Sequence, residues 1–307
     1  DRSLRRLAGD SLAAVRKMRE LRFDVVIDCE LFARVSSIFA LLSGAPVRAG
    51  FHRHTMEGLY RGDFINRPVL YNPYRHISDQ FLALVDAIDS RAVPKNKFET
   101  YDGVPKAAPA MRLREGEQQA MQKRLYGDFP AVEGKKLVLL YPSGGILPIR
   151  AWPLESFAET AQALVDRGYA VAVIGMPEDK PLARSILEHC QSPLCVDLTG
   201  YTKSIRELLV IFHFASLLVT NDGGPGQFAA MTPIRSILLF GPETPVLYGP
   251  NSPRAKVLFS GLACSPCLTA YNHRNSPCDG DNRCLKVIEP RTVLACALEM
   301  LGEGPAQ

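Results

Sequence analysis

The sequence of 307 residues lacks a long hydrophobic run. Its longest charge-free stretch before a strongly polar break, from Leu208 to Asn221, is shorter than the about 20 apolar residues that a membrane-spanning helix needs. The first residues also lack the apolar core and the small-residue cleavage site of a secretory signal peptide. We therefore expect a cytoplasmic protein without a transmembrane helix.

Cysteine is too sparse for a disulfide scaffold, since the chain has only 8, and its glycines show no collagen-like triplet period. With 47% hydrophobic and 22% charged residues, the composition is that of a globular protein. The length fits two domains of roughly 100–200 residues each.

Positive charge is in small excess, and this excess lies at one end of the chain. The net charge of +4 arises from residues 1–22, where seven Arg and Lys face three Asp and Glu. The remainder is neutral, which argues against nucleic acid as a partner. Apolar residues near helical spacing make residues 1–22 a basic amphipathic helix: Leu4, Leu7, Val15, Met18 and Leu21. It is either a surface helix with a solvated basic face or a peripheral contact with the anionic inner face of the cell membrane.

Short apolar strands alternate with amphipathic helices in the second half of the chain, which predicts a parallel sheet covered on both faces. The predicted strands are 137–141, 170–174, 194–196, 217–219 and 236–240. Residues 111–307 are therefore predicted to form a doubly wound, Rossmann-like α/β domain. Residues 1–110 offer only two good strands, at 23–28 and 47–50, and predict an incomplete domain of the same kind. Residues 52–73 are interpreted as irregular.

Polar and glycine residues follow each predicted strand of the second half. Ligands of a doubly wound sheet bind beyond the carboxyl ends of its strands. Glycine lets the backbone approach a phosphate, Arg150 offers a fork of donors, and Asp222 is the only charge between Leu208 and Ile234. Each feature alone also fits a turn, a helix cap or a surface charge, but together they favour a ligand site. The candidate binding residues are Ser143, Gly144, Arg150, Glu178, Asp179, Thr199, Gly200, Asp222, Gly223, Gly224 and Gln227.

This series of motifs resembles glycosyltransferase family 9, which contains the ADP-heptose:lipopolysaccharide heptosyltransferases. The residues that carry the resemblance are Gly144-Gly145, Arg150-Ala151-Trp152-Pro153, Ile174-Gly175, Leu198-Thr199-Gly200, Asn221 to Pro225, and Phe240 to Pro245. The similarity spans roughly residues 20–290 and implies a GT-B fold of two Rossmann-like domains. It also implies inverting transfer of a heptose-like sugar, without a catalytic metal or cofactor, from a nucleotide-diphosphate sugar. The acceptor would be a glycan or glycolipid of lipopolysaccharide type. The alternative is a catalytically incomplete nucleotide-sugar-binding module.

The resemblance also assigns roles to individual residues. Arg150 stands where the family has a lysine on the donor diphosphate, and Glu178 or Asp179 stands near the acidic residue expected on the ribose. Residues 222–224 match the donor-side loop, in which Gln227 replaces a histidine.

The general base of the family, an aspartate on an early glycine-rich loop, has no counterpart in these residues. The catalytic residue is therefore unknown: we expect it in a preceding segment or elsewhere, and Glu30 is the candidate among the present residues. We place Glu30, Arg34 and His76 on the acceptor side. The plainer interpretation of Glu30 is an acid at a helix N-terminus, and that of His76 is an ordinary helix-start residue.

Four cysteines are clustered between residues 264 and 284. Their spacing suits a structural zinc site, and disulfides or free thiols are the alternatives. The cysteines are Cys264, Cys267, Cys278 and Cys284.

Overall fold

The computed structural model describes residues 2–31, 33–52, 61, 63–92, 95, 97, 108–270 and 275–303. The chain divides into two units. The first comprises Asp1–Pro105 with Leu268–Asn275, and the second comprises Lys106–Cys267 with Ser276–Gln307. Nothing in the sequence pattern indicates that Leu268–Asn275 lies with the first unit.

The described part of the first unit holds a parallel sheet of order β1-β2-β3. Its elements are α1 (Arg2–Leu21), β1 (Val25–Asp28), α2 (Arg34–Leu42), β2 (Val47–His52), β3 (Arg67–Leu70) and α3 (Ile77–Asp86). The interpretation of residues 52–73 as irregular is wrong at β3, where Pro68 pairs with Gly50. A proline within so short a run weakens the strand signal, yet proline is tolerated in the edge strand of a sheet.

The second unit holds a parallel sheet of order β6-β5-β4-β7-β8-β9, which confirms the predicted doubly wound architecture. Its strands are β4 (Leu137–Tyr141), β5 (Ala170–Gly175), β6 (Cys195–Thr199), β7 (Leu217–Asn221), β8 (Arg235–Phe240) and β9 (Ala255–Phe259). Its helices are α4 (Glu117–Asp128), α5 (Leu154–Val165), α6 (Lys180–Cys190), α7 (Ile205–Phe214), α8 (Gly224–Ala229), α9 (Pro245–Tyr248), α10 (Arg283–Lys286) and α11 (Pro290–Leu301).

Both faces of this sheet are buried, because successive side chains of a strand point to opposite sides. Val138 and Leu140 pack into one apolar layer with Trp152, whereas Leu137 and Leu139 pack into the other. The order of strands reverses between β4 and β7, whose ends are neighbours through the pairing of Tyr141 with Thr220. Such a reversal opens a crevice at the carboxyl ends of the strands. Within the described chain, every helix is too short or too polar to cross a bilayer.

Candidate functional site

Asn221, the last residue of β7, organises the loop that follows β4. Its side chain is fully buried, and its Oδ1 accepts a hydrogen bond from the backbone N–H of Trp152 at 2.9 Å. Its Nδ2 donates to the carbonyl oxygens of Pro142 at 2.9 Å and Ser143 at 3.2 Å. One amide therefore ties both ends of the loop from Pro142 to Trp152 to the end of β7. Asn221 belongs to one of the sequence motifs without a predicted role, although an amide at a buried strand end is a usable signal for such a tie.

The loop folds tightly on itself at Gly144. A Cβ there would lie 2.8 Å from the carbonyl oxygen of Leu147 and 2.9 Å from Cα of Pro148, so only glycine fits without a backbone shift. The hydroxyl of Ser143 accepts a hydrogen bond from the N–H of Gly145 at 3.1 Å.

A cluster of three buried or half-buried charges lies at the carboxyl ends of β4, β7 and β8. Nη2 of Arg150 donates to Oε1 of Glu243 at 3.0 Å, and Nε lies 3.7 Å from Oδ2 of Asp222. The structure thus brings together Arg150 and Asp222 as predicted candidates, and adds Glu243, which sequence reasoning missed as a site residue. One guanidinium therefore faces two carboxylates.

Two adjacent acidic residues, Glu178 and Asp179, follow β5, and their side chains have different surroundings. Oδ2 of Asp179 accepts a hydrogen bond from the N–H of Met176 at 2.8 Å and closes the turn. A Cβ at Gly175 would lie 2.7 Å from that same oxygen, which explains the glycine. Glu178 is exposed and makes no hydrogen bond or ion pair with the part of the chain that the structure describes. Of the two, Glu178 is the carboxylate available to a ligand.

Three other predicted residues are engaged within the protein. The hydroxyl of Thr199 donates to Asp197 at 2.6 Å, and the N–H of Gly200 donates to the carbonyl of Gly175 at 2.9 Å. Nε2 of Gln227 donates to the carbonyl of Tyr248 at 2.6 Å. Gly223, in extended conformation, and Gly224, which begins α8, connect Asp222 to that short helix.

An apolar pocket of about 400 Å³ lies at this same edge of the sheet, beyond the ends of β4, β5 and β6. Burial raises the pKa of the Tyr141 phenol in its wall, against a hydrogen bond with Ser143 that lowers it. Besides the Tyr141 hydroxyl, the polar side chains of the lining are few, and they come from the segment that leads into α7. The lining residues include Tyr141, Ile174, Met176, Leu198, Lys203, Ser204, Ile205, Pro225 and Phe228.

In the first unit, the predicted acceptor-side residues lie at the carboxyl ends of strands. Glu30 follows β1, its side chain is exposed, and its N–H donates to Oδ1 of Asp28 at 3.0 Å. Arg34 is exposed at the start of α2. Nδ1 of His76 accepts a hydrogen bond from the N–H of Ser78 at 3.2 Å and caps α3, which agrees with the plainer interpretation.

The loop after β1 is held by Arg61, which the sequence analysis did not single out. This side chain is almost fully buried and forms an ion pair with Asp28. It donates to the carbonyl oxygens of Glu30 at 2.6 Å and Ala33 at 3.1 Å, and to Oγ of Ser36 at 2.5 Å. Arg61 therefore fixes the backbone from which Glu30 projects.

The four clustered cysteines all line one cavity of about 280 Å³. All eight cysteines of the chain are free thiols, so the disulfide alternative is wrong. The described residues contain no group of three or more His, Cys, Asp or Glu side chains that could hold a metal ion. The predicted zinc site therefore gains no support from the geometry.

Comparison with known proteins places these features in a family. The sequence model of glycosyltransferase family 9 (heptosyltransferase) matches residues 11–276. The lipooligosaccharide heptosyltransferase 2 of Haemophilus influenzae is 26% identical over 196 residues, which are 63% of this chain and 56% of that relative. The chain thus spans little more than half the length of this curated relative.

Solved structures show the same fold. The Escherichia coli ADP-heptose LPS heptosyltransferase II matches with a TM-score of 0.71 and 22% identity, over 96% of this chain and 81% of that one. The E. coli heptosyltransferase WaaC with ADP-2-deoxy-2-fluoro heptose matches with a TM-score of 0.59 and 16% identity, over 95% and 77% of the two chains. The two α/β units are therefore those of a GT-B fold.

Proposed function

The chain belongs to glycosyltransferase family 9, and from this membership we propose that its second unit binds a nucleotide-diphosphate sugar of the ADP-heptose type. The protein would transfer the sugar to a glycan or glycolipid of the lipopolysaccharide class. The observation that carries the proposal is an apolar pocket of about 400 Å³ that shares one sheet edge with a charged cluster and a glycine-containing loop. Nucleotides bind at this edge in doubly wound sheets.

The base, the ribose and the diphosphate of such a donor each have complementary protein groups at this edge of the sheet. A flat base would suit the apolar pocket, whose lining includes the rings of Tyr141 and Phe228 and the side chain of Ser204. The exposed carboxylate of Glu178 can accept hydrogen bonds from ribose hydroxyls. Arg150 and the backbone of the loop at Gly144 supply donors for the diphosphate, whose negative charge grows as the sugar leaves.

Transfer also requires a base that takes the proton of the acceptor hydroxyl. Among the described residues of the first unit, Glu30 is our candidate, because its exposed carboxylate stands on backbone that Arg61 fixes. Arg34, at the start of α2, would bind an anionic group of the acceptor. We propose inverting transfer in which Arg150, not a metal ion, stabilises the negative charge of the leaving diphosphate.

The test is a calorimetric titration of the chain with ADP, UDP, GDP and dTDP. We expect selective binding of ADP, weakened at least about tenfold in Arg150→Ala, because a hydrogen bond to a charged group contributes about 1.5–3 kcal/mol. Glu188→Gln is the matched control, since Glu188 pairs with Arg184 at 2.9 Å on the exposed face of α6. Absence of binding by all four nucleotides, or equal binding by Arg150→Ala, would contradict the proposed donor site.

We further propose that α1 contacts anionic lipid at the inner face of the cell membrane. Val15 and Met18 of this helix are half-buried, whereas Leu4 and Leu7 are 65% and 63% exposed and are flanked by Arg5 and Arg6. Flotation with phosphatidylserine-containing vesicles should recover the chain at low salt and release it at high salt, whereas pure phosphatidylcholine vesicles should not bind it. Equal recovery with both vesicles would contradict the charge-based contact.

A further inference from the structure

Glu243 is a carboxylate whose burial the proposed function does not explain. It lies beyond the end of β8 and is only 2% exposed. A buried charge is costly unless it is paired, and Arg150 provides an ion pair at 3.0 Å. The backbone around Glu243 is fixed, because the N–H of Cys267 donates to the carbonyl of Pro242 at 2.9 Å and Thr244 caps α9. Glu243 is therefore a rigid anchor for the guanidinium.

The nitrogens of the Arg150 guanidinium make unequal contacts with Glu243 and Asp222. Nη2 makes a hydrogen bond to Glu243, whereas Nε, at 3.7 Å from Oδ2 of Asp222, is buried without a hydrogen bond. The third nitrogen, Nη1, makes no hydrogen bond with the residues that the structure describes. Glu243 thus holds the guanidinium short of full contact with Asp222.

We propose that Glu243 is a positioning residue of the donor site: it keeps Arg150 from closing onto Asp222, so that one edge of the guanidinium remains for a diphosphate. This inference rests on the proposed function. Without the charge of Glu243, Arg150 would move the short distance to Asp222 and form a hydrogen-bonded ion pair with it. A diphosphate would then lose its donor fork, whereas the base pocket would not change.

The experiment compares the affinities of ADP and adenosine for the full chain and for Glu243→Gln, a change that preserves side-chain size. We expect ADP to bind about tenfold more weakly to Glu243→Gln and adenosine to bind equally. Glu243→Asp retains the charge on a shorter side chain, so its ADP affinity should lie between those of the parent and Glu243→Gln. Glu188→Gln should match the parent, and thermal melts should show that all variants are folded.

A double variant tests whether Glu243 acts through Arg150. In the background of Arg150→Ala, Glu243→Gln should change ADP affinity by less than about twofold, since the residue that it positions is gone. A full tenfold loss in that background would overturn the positioning role.

The remaining outcomes separate this inference from the proposed function. If the parent chain binds ADP no better than adenosine, the proposed donor site itself fails. If the parent prefers ADP but Glu243→Gln binds ADP as tightly or more tightly, the donor site stands and the positioning role of Glu243 is overturned.

Discussion

Asn221→Asp should abolish nucleotide binding and lower the free energy of unfolding of the second unit by about 3–5 kcal/mol, the cost of an unpaired buried charge. The change exchanges the NH₂ group for an oxygen that faces the carbonyls of Pro142 and Ser143 at 2.9 and 3.2 Å. Both carbonyls lose their donor, and the site is fully buried. The loop that carries Ser143 and Gly144 would therefore detach from β7.

The chain supplies its own probe for this experiment, because its single tryptophan, Trp152, donates its backbone N–H to Asn221. Urea unfolding followed by Trp152 fluorescence measures the loss of stability and the loosening of the loop together. Asn282→Asp is the matched control, since Asn282 is only half-buried and donates to one carbonyl, that of Ile149, at 2.8 Å. A loss of stability in Asn221→Asp no larger than in Asn282→Asp would contradict the assigned role.

Arg61→Met should destabilise the first unit by about 3–5 kcal/mol, because it removes the partner of the buried Asp28 carboxylate. The loop from Glu30 to Ser36 would also lose three hydrogen bonds and become open to solvent. Urea unfolding followed by circular dichroism measures the stability, and amide hydrogen exchange at Glu30 and Leu31 measures the opening of the loop.

A double variant combines Asp28→Asn with Arg61→Met. The amide that replaces the Asp28 carboxylate carries no charge. The double variant should therefore lose less free energy of unfolding than the sum of the losses in the two single variants. Strict additivity would mean that Asp28 and Arg61 stabilise the unit independently, and the explanation by an unpaired carboxylate would then be wrong.

The parallel sheet of the second unit could be predicted because its signal is local. The runs at 137–141 and 217–219 are continuously apolar, which is typical of strands buried on both faces. Strand β3 could not be predicted in this way, because Arg67 and Pro68 make up half of its four residues and its order depends on pairing with β2. Strand β9 and helix α11 were also absent from the sequence analysis.

The sequence by itself determined the fold family and the sheet edge at which polar residues gather, since the carboxyl ends of parallel strands always meet at one edge. Only the tertiary structure decided which of those residues are available. It engages Asp179, Thr199 and His76 within the protein and leaves Glu178 exposed. It also joins Arg150 to Glu243, 93 residues away in the chain. Strand periodicity fixes the edge at which a residue lies, but side-chain partners depend on how loops of different strands fold against one another.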